Sequence, residues 1–162
     1  MVFREVITDR DIDEVIKVAR PIWLEHYSPI IGIEQVEFML ENLHSKRNIK
    51  EEIAEKEYVY YLIEKAETIG YMGLQIREDE LFLSKIYLAS TARGQGFGRL
   101  AMDYIKSLAR QRKLGKVSLT VNKYNTNSIA AYQKLGFVKI SDICVDTGGG
   151  YVMDDFLMEI EF

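Results

Sequence analysis

Three glycines at alternate positions, Gly94, Gly96 and Gly98, stand between a predicted strand and a predicted helix. Bulky apolar and aromatic residues at 81–88 indicate the strand, and apolar residues at helical spacing from position 99 onward indicate the helix. Glycine tolerates positive φ and lets the backbone approach a ligand closely. The first N–H groups of a helix have no partner within it, and the helix dipole favours an anion there. This stretch therefore predicts a site where main-chain groups bind a phosphate or pyrophosphate.

The spacing of the glycines distinguishes between the known phosphate loops. A P-loop needs Lys-Ser or Lys-Thr after its last glycine, and neither follows here. A dinucleotide-binding turn counted from Gly94 would need glycine where Arg99 stands. Counted from Gly96, it lacks the acidic residue expected about 20 positions further on. The pattern that fits is R-x-x-G-x-G, formed by Arg93, Gly96 and Gly98, although six residues alone leave an ordinary glycine-rich turn equally open.

A second motif follows the first along the chain. Positions 116–121 alternate like a strand and are followed by Asn122. Residues 127–137 then read Asn-Ser-Ile-Ala-Ala-Tyr-Gln-Lys-Leu-Gly-Phe, a short helix pattern before the next strand. Two motifs in this order resemble those of the GNAT superfamily of N-acetyltransferases. The resemblance covers the chain from position 81 to its end well, and the first 80 residues in outline.

This resemblance implies acetyl-CoA as the cosubstrate, with its pyrophosphate on the glycine turn and its pantetheine arm between the motif strand and the next one. Tyr132 matches the family's general acid, which protonates the leaving thiolate; the alternative is an aromatic residue packed on the buried face of a short helix. Asn127 is either a helix cap or a contact to the pantetheine arm. Arg93 and Arg99 either contact phosphate or are solvated. The residues predicted to bind the cosubstrate are Ile86, Tyr87, Leu88, Arg93, Gly94, Gln95, Gly96, Phe97, Gly98, Arg99 and Asn127.

The acceptor implied by the family is a primary amine, which must lose a proton before it attacks. If its pKa is that of lysine, about 10.4, the neutral amine costs roughly 4–5 kcal/mol at pH 7. Many family members place a glutamate in the middle of the motif strand, where this chain has Ser84, and serine cannot serve as that base. Glu25, His26, Glu80 or a chain of water molecules remain open as replacements.

The charge of the N-terminal region is the main indication of the substrate. Positions 21–45 contain no lysine or arginine. Their acidic residues are Glu25, Glu34, Glu37 and Glu41. In GNAT-like proteins this region forms a lip over the acceptor site, and an acidic lip attracts a cationic amine; the alternative is a solvated amphipathic helix. Trp23, His26 and Tyr27 either line the pocket or pack in the core. The residues considered for the substrate are Trp23, Glu25, His26, Tyr27, Ser84 and Asp154.

Three segments, Tyr-Leu-Ile, Leu-Ser-Lys-Ile-Tyr-Leu and Tyr-Val-Met-Asp-Asp, resemble the bacterial branch that includes polyamine (spermidine/spermine-type) acetyltransferases. A polyamine or another small amine is therefore the leading substrate class. Acetylation of a ribosomal-protein N-terminus or of an antibiotic amine stays open. A protein of another class, a silent acyl-CoA-binding sensor, is favoured by Ser84 and disfavoured by Tyr132 and the complete glycine motif.

The elements that must position these residues are predicted from periodicity and turn residues. Thr8, with Asp11 three residues later, predicts a helix start with a capping box, and Pro21 predicts its end. A second helix pattern begins at Gly32, and Gly115 predicts the end of the helix that follows the glycine turn. Strands are predicted at 3–7, 58–64, 68–76, 116–121, 137–145 and 151–160, besides the motif strand. The expected fold is a GNAT-like α/β (α+β) domain, a mixed, mostly antiparallel sheet of about seven strands with about four helices on both faces.

Size and composition agree with one such domain spanning residues 1–162. The net charge of −4 argues against nucleic acid as the main partner, and no apolar run is long enough to span a membrane. The single cysteine and the charged N-terminus are typical of a cytoplasmic protein, and one cysteine with two histidines predicts no metal site. The family resemblance leaves a homodimer possible.

Overall fold

The computed structural model describes residues 1–162, which form seven strands, five α-helices and one short 3-10 helix. The strands are β1 (Val2–Glu5), β2 (Tyr58–Glu64), β3 (Thr68–Ile76), β4 (Glu80–Leu88), β5 (Lys116–Asn122), β6 (Val138–Gly148) and β7 (Tyr151–Glu161). The helices are α1 (Asp9–Ile31), α2 (Ile33–Asn42), α3 (Lys46–Glu55), α4 (Phe97–Gln111) and α5 (Thr126–Lys134), and the 3-10 helix is Ser90–Ala92. The sheet order is β1-β2-β3-β4-β5-β7-β6. This mixed, mostly antiparallel sheet confirms the predicted fold class, although the expected number of helices was one too low.

The chain divides into two compact units, and the first comprises Met1–Gln75 and Ser84–Gln95. In this unit β1 pairs antiparallel with β2, and β2 with β3. Helix α1 packs against α2 and α3, and α3 packs against β2. The largest fully buried side chains of the unit are Ile49, Tyr60, Leu62, Ile63, Tyr71, Met72 and Leu74. That the whole chain is one domain stays a prediction.

Helix α1 is longer than its sequence pattern predicts. Its start is confirmed, because the Asp11 N–H donates to the Thr8 hydroxyl and the Asp11 carboxylate accepts from the Thr8 N–H. The predicted end near Pro21 is wrong, because the helix continues to Ile31. A proline inside a helix costs about 3 kcal/mol. Trp23, two residues later, is only 4% exposed, so burial of the following turn offsets that cost.

Helix α3 was not predicted. Its sequence, Lys-Arg-Asn-Ile-Lys-Glu-Glu-Ile-Ala-Glu, contains few apolar residues, so helical periodicity gives a weak signal. The helix starts at a cap, since the Ser45 hydroxyl accepts a hydrogen bond from the Asn48 N–H. Ile49 is fully buried and anchors the helix.

The second compact unit comprises Ile76–Leu83 and Gly96–Phe162. In it the first part of β4 pairs in parallel with β5, from Glu80 opposite Lys116 to Leu83 opposite Leu119. Strand β5 pairs antiparallel with β7, and β7 with β6, as the predicted C-terminal hairpin requires. Helix α4 packs against β5. The side chains that α4 buries are Phe97, Ala101, Met102, Ile105 and Ala109.

The predicted stop of α4 at Gly115 is wrong. The helix ends at Gln111, and the residue that adopts a positive φ, 59°, is Lys113. A Cβ on Gly115 would lie 3.1 Å from a carboxylate oxygen of Asp79, and the Gly115 N–H donates to the Asp79 main-chain oxygen at 3.0 Å. Gly115 therefore packs closely against the turn before β4. None of the helices combines the length and apolarity needed to cross a membrane.

Candidate active site

The glycine motif forms the turn that connects the 3-10 helix to α4. Gly94 and Gly96 have positive φ, 72° and 82°, which glycine adopts without steric strain. Gly96 directly precedes α4, and no side chain caps this helix. A Cβ on Gly94, Gly96 or Gly98 would meet no atom within 4 Å. The uncapped start of α4 and the open space beside the three glycines fit an anionic group bound by the main chain.

The polar side chains around this turn differ in what they contact. Arg93 donates from Nε to the main-chain oxygen of Leu88 at 3.1 Å, and its Nη1 lies 3.5 Å from a carboxylate oxygen of Glu25. Gln95 donates from its amide nitrogen to the main-chain oxygen of Thr91 at 2.8 Å. Both side chains thus stabilise the turn itself, and their contacts to a cosubstrate stay predictions. Arg99 is exposed in the first turn of α4, where a cation complements a bound anion.

The end of β4 is held in a fixed position by its neighbour in the sheet. Ile86, Tyr87 and Leu88 are half-buried. A Cβ on Gly70 would lie 2.2 Å from the main-chain oxygen of Tyr87, so β3 and β4 approach each other more closely than any other residue at position 70 would allow. Ile86, Tyr87 and Leu88, which are predicted to bind the cosubstrate, therefore lie on a part of β4 that packs closely against β3.

Of the aromatic residues considered for the substrate pocket, Trp23 is buried and Tyr27 is half-buried. Trp23 Nε1 donates to Tyr71 Oη at 2.7 Å, and the Trp23 ring stacks on His44 with centroids 5.0 Å apart. Trp23 therefore packs in the core, which was one of the two open alternatives. Tyr27 Oη and Tyr87 Oη lie 2.8 Å apart, and both residues are half-buried.

His44, which the sequence did not single out, is neutral. Burial lowers its pKa well below the ordinary value, and the charge of Lys85 acts in the same direction. Tyr71 Oη accepts from Trp23 Nε1 and lies 3.0 Å from His44 Nε2, whereas His44 Nδ1 has no protein partner.

His26 and Glu25, predicted as possible bases, lie near the C-terminal end of α1. Burial, together with the charge of Arg93, lowers the pKa of His26, and the charge of Glu25 opposes this shift. The His26 ring packs edge-on against Tyr27 with centroids 4.8 Å apart. Glu25 is exposed next to Arg93, so its carboxylate is partly neutralised.

Ser84 belongs to a network of polar side chains in the first unit. Lys85 Nζ lies 3.1 Å from Ser84 Oγ, and Tyr58 Oη donates to the same oxygen at 3.4 Å. Lys85 Nζ also lies 3.4 Å from Glu52 Oε2, which accepts from Tyr60 Oη at 3.2 Å. The side chains of Lys85 and Glu52 are only 13% and 11% exposed. Burial lowers the pKa of Lys85, against the opposing charge of Glu52.

Sequence reasoning missed both members of this ion pair. A signal for Lys85 was present, because a lysine within a largely buried strand needs a partner. The partner could not be identified, since Glu52 lies 33 residues away on the helix that was not predicted.

In the second unit, Tyr132 lies half-buried on α5, and its ring packs edge-on against Phe137 with centroids 5.8 Å apart. The side chain that caps α5 is Asn125, whose amide oxygen accepts from a main-chain N–H of the first turn. The alternative that Asn127 is the cap is therefore wrong, because the helix begins at Thr126. Asn127 is exposed, and its contact to the cosubstrate stays a prediction.

The two adjacent aspartates on β7 lie in different environments, as the alternation of a strand requires. Asp154, the predicted substrate contact, pairs with Lys123 at 2.8 Å. Asp155 is 8% exposed, and its Oδ1 has no protein partner. Burial, followed by the charge of Asp154, raises the pKa of Asp155 to about 6, against a hydrogen bond from Thr120 and the charge of Lys123.

A protein-family model described as the acetyltransferase (GNAT) family matches residues 21–137, which include both sequence motifs. The chain belongs to the GNAT family. It is accordingly an acyl-CoA-dependent N-acetyltransferase, and acetyl-CoA is the cosubstrate that its glycine turn fits.

Relatives of this GNAT chain include a spermidine N(1)-acetyltransferase of Thermoplasma acidophilum, 25% identical over 157 residues, which are 94% of this chain and 92% of that protein. Among solved structures, the PaiA N-acetyltransferase of Thermoplasma acidophilum in complex with coenzyme A matches over the full length of both chains, with a TM-score of 0.81 and 21% identity. The ribosomal-protein-alanine N-acetyltransferase of Brucella melitensis also matches over the full length of both, with a TM-score of 0.66 and 21% identity. These structures establish the GNAT fold of the chain.

Proposed function

We propose that this GNAT enzyme transfers the acetyl group of acetyl-CoA to the primary amine of a small cationic substrate, with polyamines as the leading class. The observation that carries the proposal is the uncapped start of α4 beside three glycines that leave room for an anion. Main-chain N–H groups there bind the pyrophosphate of acetyl-CoA, and Arg99 adds a positive charge. The relative whose structure contains coenzyme A supports this assignment.

Acetyl transfer forms a bond between the amine nitrogen and the acetyl carbon and breaks the bond between that carbon and sulfur. Negative charge develops on the acetyl oxygen, and a main-chain N–H near Leu88 stabilises it. CoA leaves as a thiolate, and the Tyr132 hydroxyl donates the proton that this thiolate needs. The cationic amine must first lose one proton to a base. When the tetrahedral intermediate becomes the amide, the nitrogen loses a second proton, which replaces the one that Tyr132 gives to the thiolate.

The charges of the N-terminal helices support a cationic substrate in part. Glu37 forms a bidentate pair with Arg20, with both oxygens 2.9 Å from the guanidinium, so this glutamate contributes little net attraction. Glu34 and Glu41 are exposed on α2, and exposed carboxylates raise the local concentration of a cation. A relative that acetylates spermidine, according to its name, supports a polyamine over other small amines.

The test is release of CoA thiol from acetyl-CoA in the presence of spermidine, spermine, putrescine, lysine and a peptide with an N-terminal alanine. We expect turnover to be fastest with a polyamine. Tyr132→Phe removes the proton donor but keeps the ring, and we expect its kcat to fall by at least about ten-fold, since acid catalysis contributes about 10²–10⁴-fold. Tyr124→Phe is the matched control, because Tyr124 is 72% exposed.

Two results would contradict the proposal in different ways. Tight binding of acetyl-CoA without thiol release for any amine would favour a sensor of acyl-CoA. Equal kcat values for Tyr132→Phe and the native protein would leave acetyl transfer intact but exclude Tyr132 as the proton donor.

A further inference from the structure

The amine's proton has no assigned acceptor in the mechanism above, and the first unit contains a buried network that the mechanism does not use. The network runs from Ser84 through Lys85 to Glu52. We propose that the Ser84 hydroxyl contacts the acceptor amine and passes its proton to Lys85, whose charged form Glu52 stabilises. This inference rests on the proposed acetyl transfer to an amine.

In this proposal Ser84 is the end of the network that contacts the substrate. Ser84 is half-buried on β4, Glu52 is buried, and the Lys85 side chain is 13% exposed. A serine hydroxyl donates one hydrogen and accepts others, so it can take a proton on one side while it releases one on the other. Serine therefore needs no acidic pKa of its own to act as a relay.

Lys85 has the properties of a proton acceptor rather than of a permanent cation. Its Nζ lies 3.1 Å from Ser84 Oγ, a normal hydrogen-bond distance, but 3.4 Å from Glu52 Oε2. Burial disfavours the charged form and lowers the pKa of Lys85. When Lys85 is neutral, the hydrogen bond between these two residues changes direction, and the Ser84 hydroxyl donates to the lone pair of Lys85 Nζ.

The surroundings of Lys85 stabilise the ammonium once it forms. Glu52 on α3 provides the negative charge, and the Tyr58 and Tyr60 rings of β2 lie 5.3 and 5.6 Å from Nζ. The further titratable groups acting on this site are His44, which is neutral because burial lowers its pKa, and the hydroxyls of Tyr60 and Tyr71, which are neutral because burial raises their pKa values. No other cation therefore competes for Glu52 within the network.

The proton transfer balances as follows. The ammonium group of the substrate gives one proton to Ser84 Oγ, and the original Ser84 proton moves to Lys85 Nζ. Ser84 remains a hydroxyl, Lys85 becomes an ammonium ion beside Glu52, and the neutral amine attacks the acetyl carbon. After the product leaves, the proton returns to solvent by the same route.

The alternative is a structural ion pair, and Lys85→Arg separates the two roles. Arginine keeps the charge and the pairing with Glu52, but it cannot be deprotonated in a protein. We expect kcat to fall by at least about 100-fold, as for loss of a general base, while the KM for acetyl-CoA changes less than about twofold. Lys116→Arg is the matched control, since Lys116 pairs with Glu159 and Glu80 in the second unit. A kcat for Lys85→Arg close to that of the control would overturn the inference.

Glu52→Gln gives a second readout that does not depend on tolerance of a bulkier side chain. Glutamine keeps the size and the hydrogen bond from Tyr60, but removing the negative charge lowers the pKa of Lys85 further. We expect the rising limb of kcat against pH to move to lower pH by about one unit or more. If the Glu52→Gln variant folds and its rising limb of kcat against pH is unchanged, the proposed proton transfer from Ser84 to Lys85 is contradicted.

Failure of this inference is distinguishable from failure of the proposed function. If native protein releases no thiol with any amine, the proposed function is wrong and the relay falls with it. If native protein is active and both variants keep its kcat and its pH profile, only the relay is wrong.

Discussion

The interior of the first unit and the glycine turn contribute to the enzyme in opposite ways. The interior is built from side chains that contact one another, such as Trp23 with Tyr71 and Lys85 with Glu52. The turn is built from main-chain groups, and its glycines leave space that no protein atom fills. The first arrangement depends on the identity of each side chain, whereas the second depends on the spacing of the glycines.

This difference explains which role each region takes. A pyrophosphate is the same in every molecule of acetyl-CoA, so main-chain donors suffice to bind it. The acceptor amine differs between members of the family, and recognition of its shape and charge requires side chains. We therefore propose that the turn binds the cosubstrate and that the interior network handles the amine.

Gly70→Ala tests the claim that glycine in the first unit is required by packing. The new methyl group would lie 2.2 Å from the main-chain oxygen of Tyr87, and backbone cannot move aside as a side chain does. We expect the free energy of unfolding to fall by about 3 kcal/mol or more, measured by urea denaturation. Gly73→Ala is the comparison, because its Cβ would lie 2.9 Å from an atom of the Tyr60 ring, a side-chain contact rather than a main-chain one, and we expect a smaller loss. Equal losses in the two variants would contradict the packing argument.

Gly98→Ala tests the converse claim for the turn. Its Cβ would meet no protein atom within 4 Å, and alanine is the better helix former by up to about 1 kcal/mol. We expect unchanged or slightly higher stability, together with an affinity for acetyl-CoA at least about ten-fold lower, or 1.4 kcal/mol. Stability and affinity are measured by urea denaturation and calorimetric titration on the same sample. If Gly98→Ala lowers stability and leaves the affinity for acetyl-CoA unchanged, glycine is required at this position by packing rather than by the ligand, and the claim for the turn is contradicted.

Asp155→Asn tests whether ionisation of a buried aspartate in the second unit makes the stability of the protein depend on pH. Its pKa is raised to about 6, above the value of about 3.9 expected in the unfolded chain. The folded state therefore holds this proton more tightly, and stability is lost as pH rises from about 4 to about 6. We expect Asp155→Asn to be more stable than native protein at pH 8 by on the order of 2 kcal/mol, and about equal at pH 4. Asp103→Asn is the control, because Asp103 is an exposed aspartate on α4 in the same unit. A stability difference independent of pH would exclude the raised pKa.

What the sequence could predict follows from how local each signal is. Strands β2 and β3 match their predicted bounds, because aromatic and β-branched residues dominate both and a polar turn separates them. The glycine turn and the capping box at Thr8 were also predictable, since each depends on residues within one short segment.

Contacts between residues that lie far apart in the chain could not be predicted from the sequence. Helix α1 passes Pro21 because Trp23 is buried against residues far along the chain, such as Tyr71. The pairing of Lys85 with Glu52 likewise depends on how α3 packs against β2. The sequence also cannot distinguish Gly70 from Gly98. Only the structure reveals that close packing requires glycine at position 70 and leaves open space at position 98.

The central claim is that the main chain of the glycine turn binds the pyrophosphate of acetyl-CoA. Calorimetric titration of native protein with acetyl-CoA and with S-acetyl-pantetheine, which lacks the pyrophosphate and the adenosine, tests it most directly, with acetyl-dephospho-CoA to isolate the 3′-phosphate. We predict that acetyl-CoA and acetyl-dephospho-CoA bind with affinities within about ten-fold of each other, and that S-acetyl-pantetheine binds at least about 100-fold more weakly, a difference of about 2.8 kcal/mol. Equal affinities for acetyl-CoA and S-acetyl-pantetheine would contradict the claim.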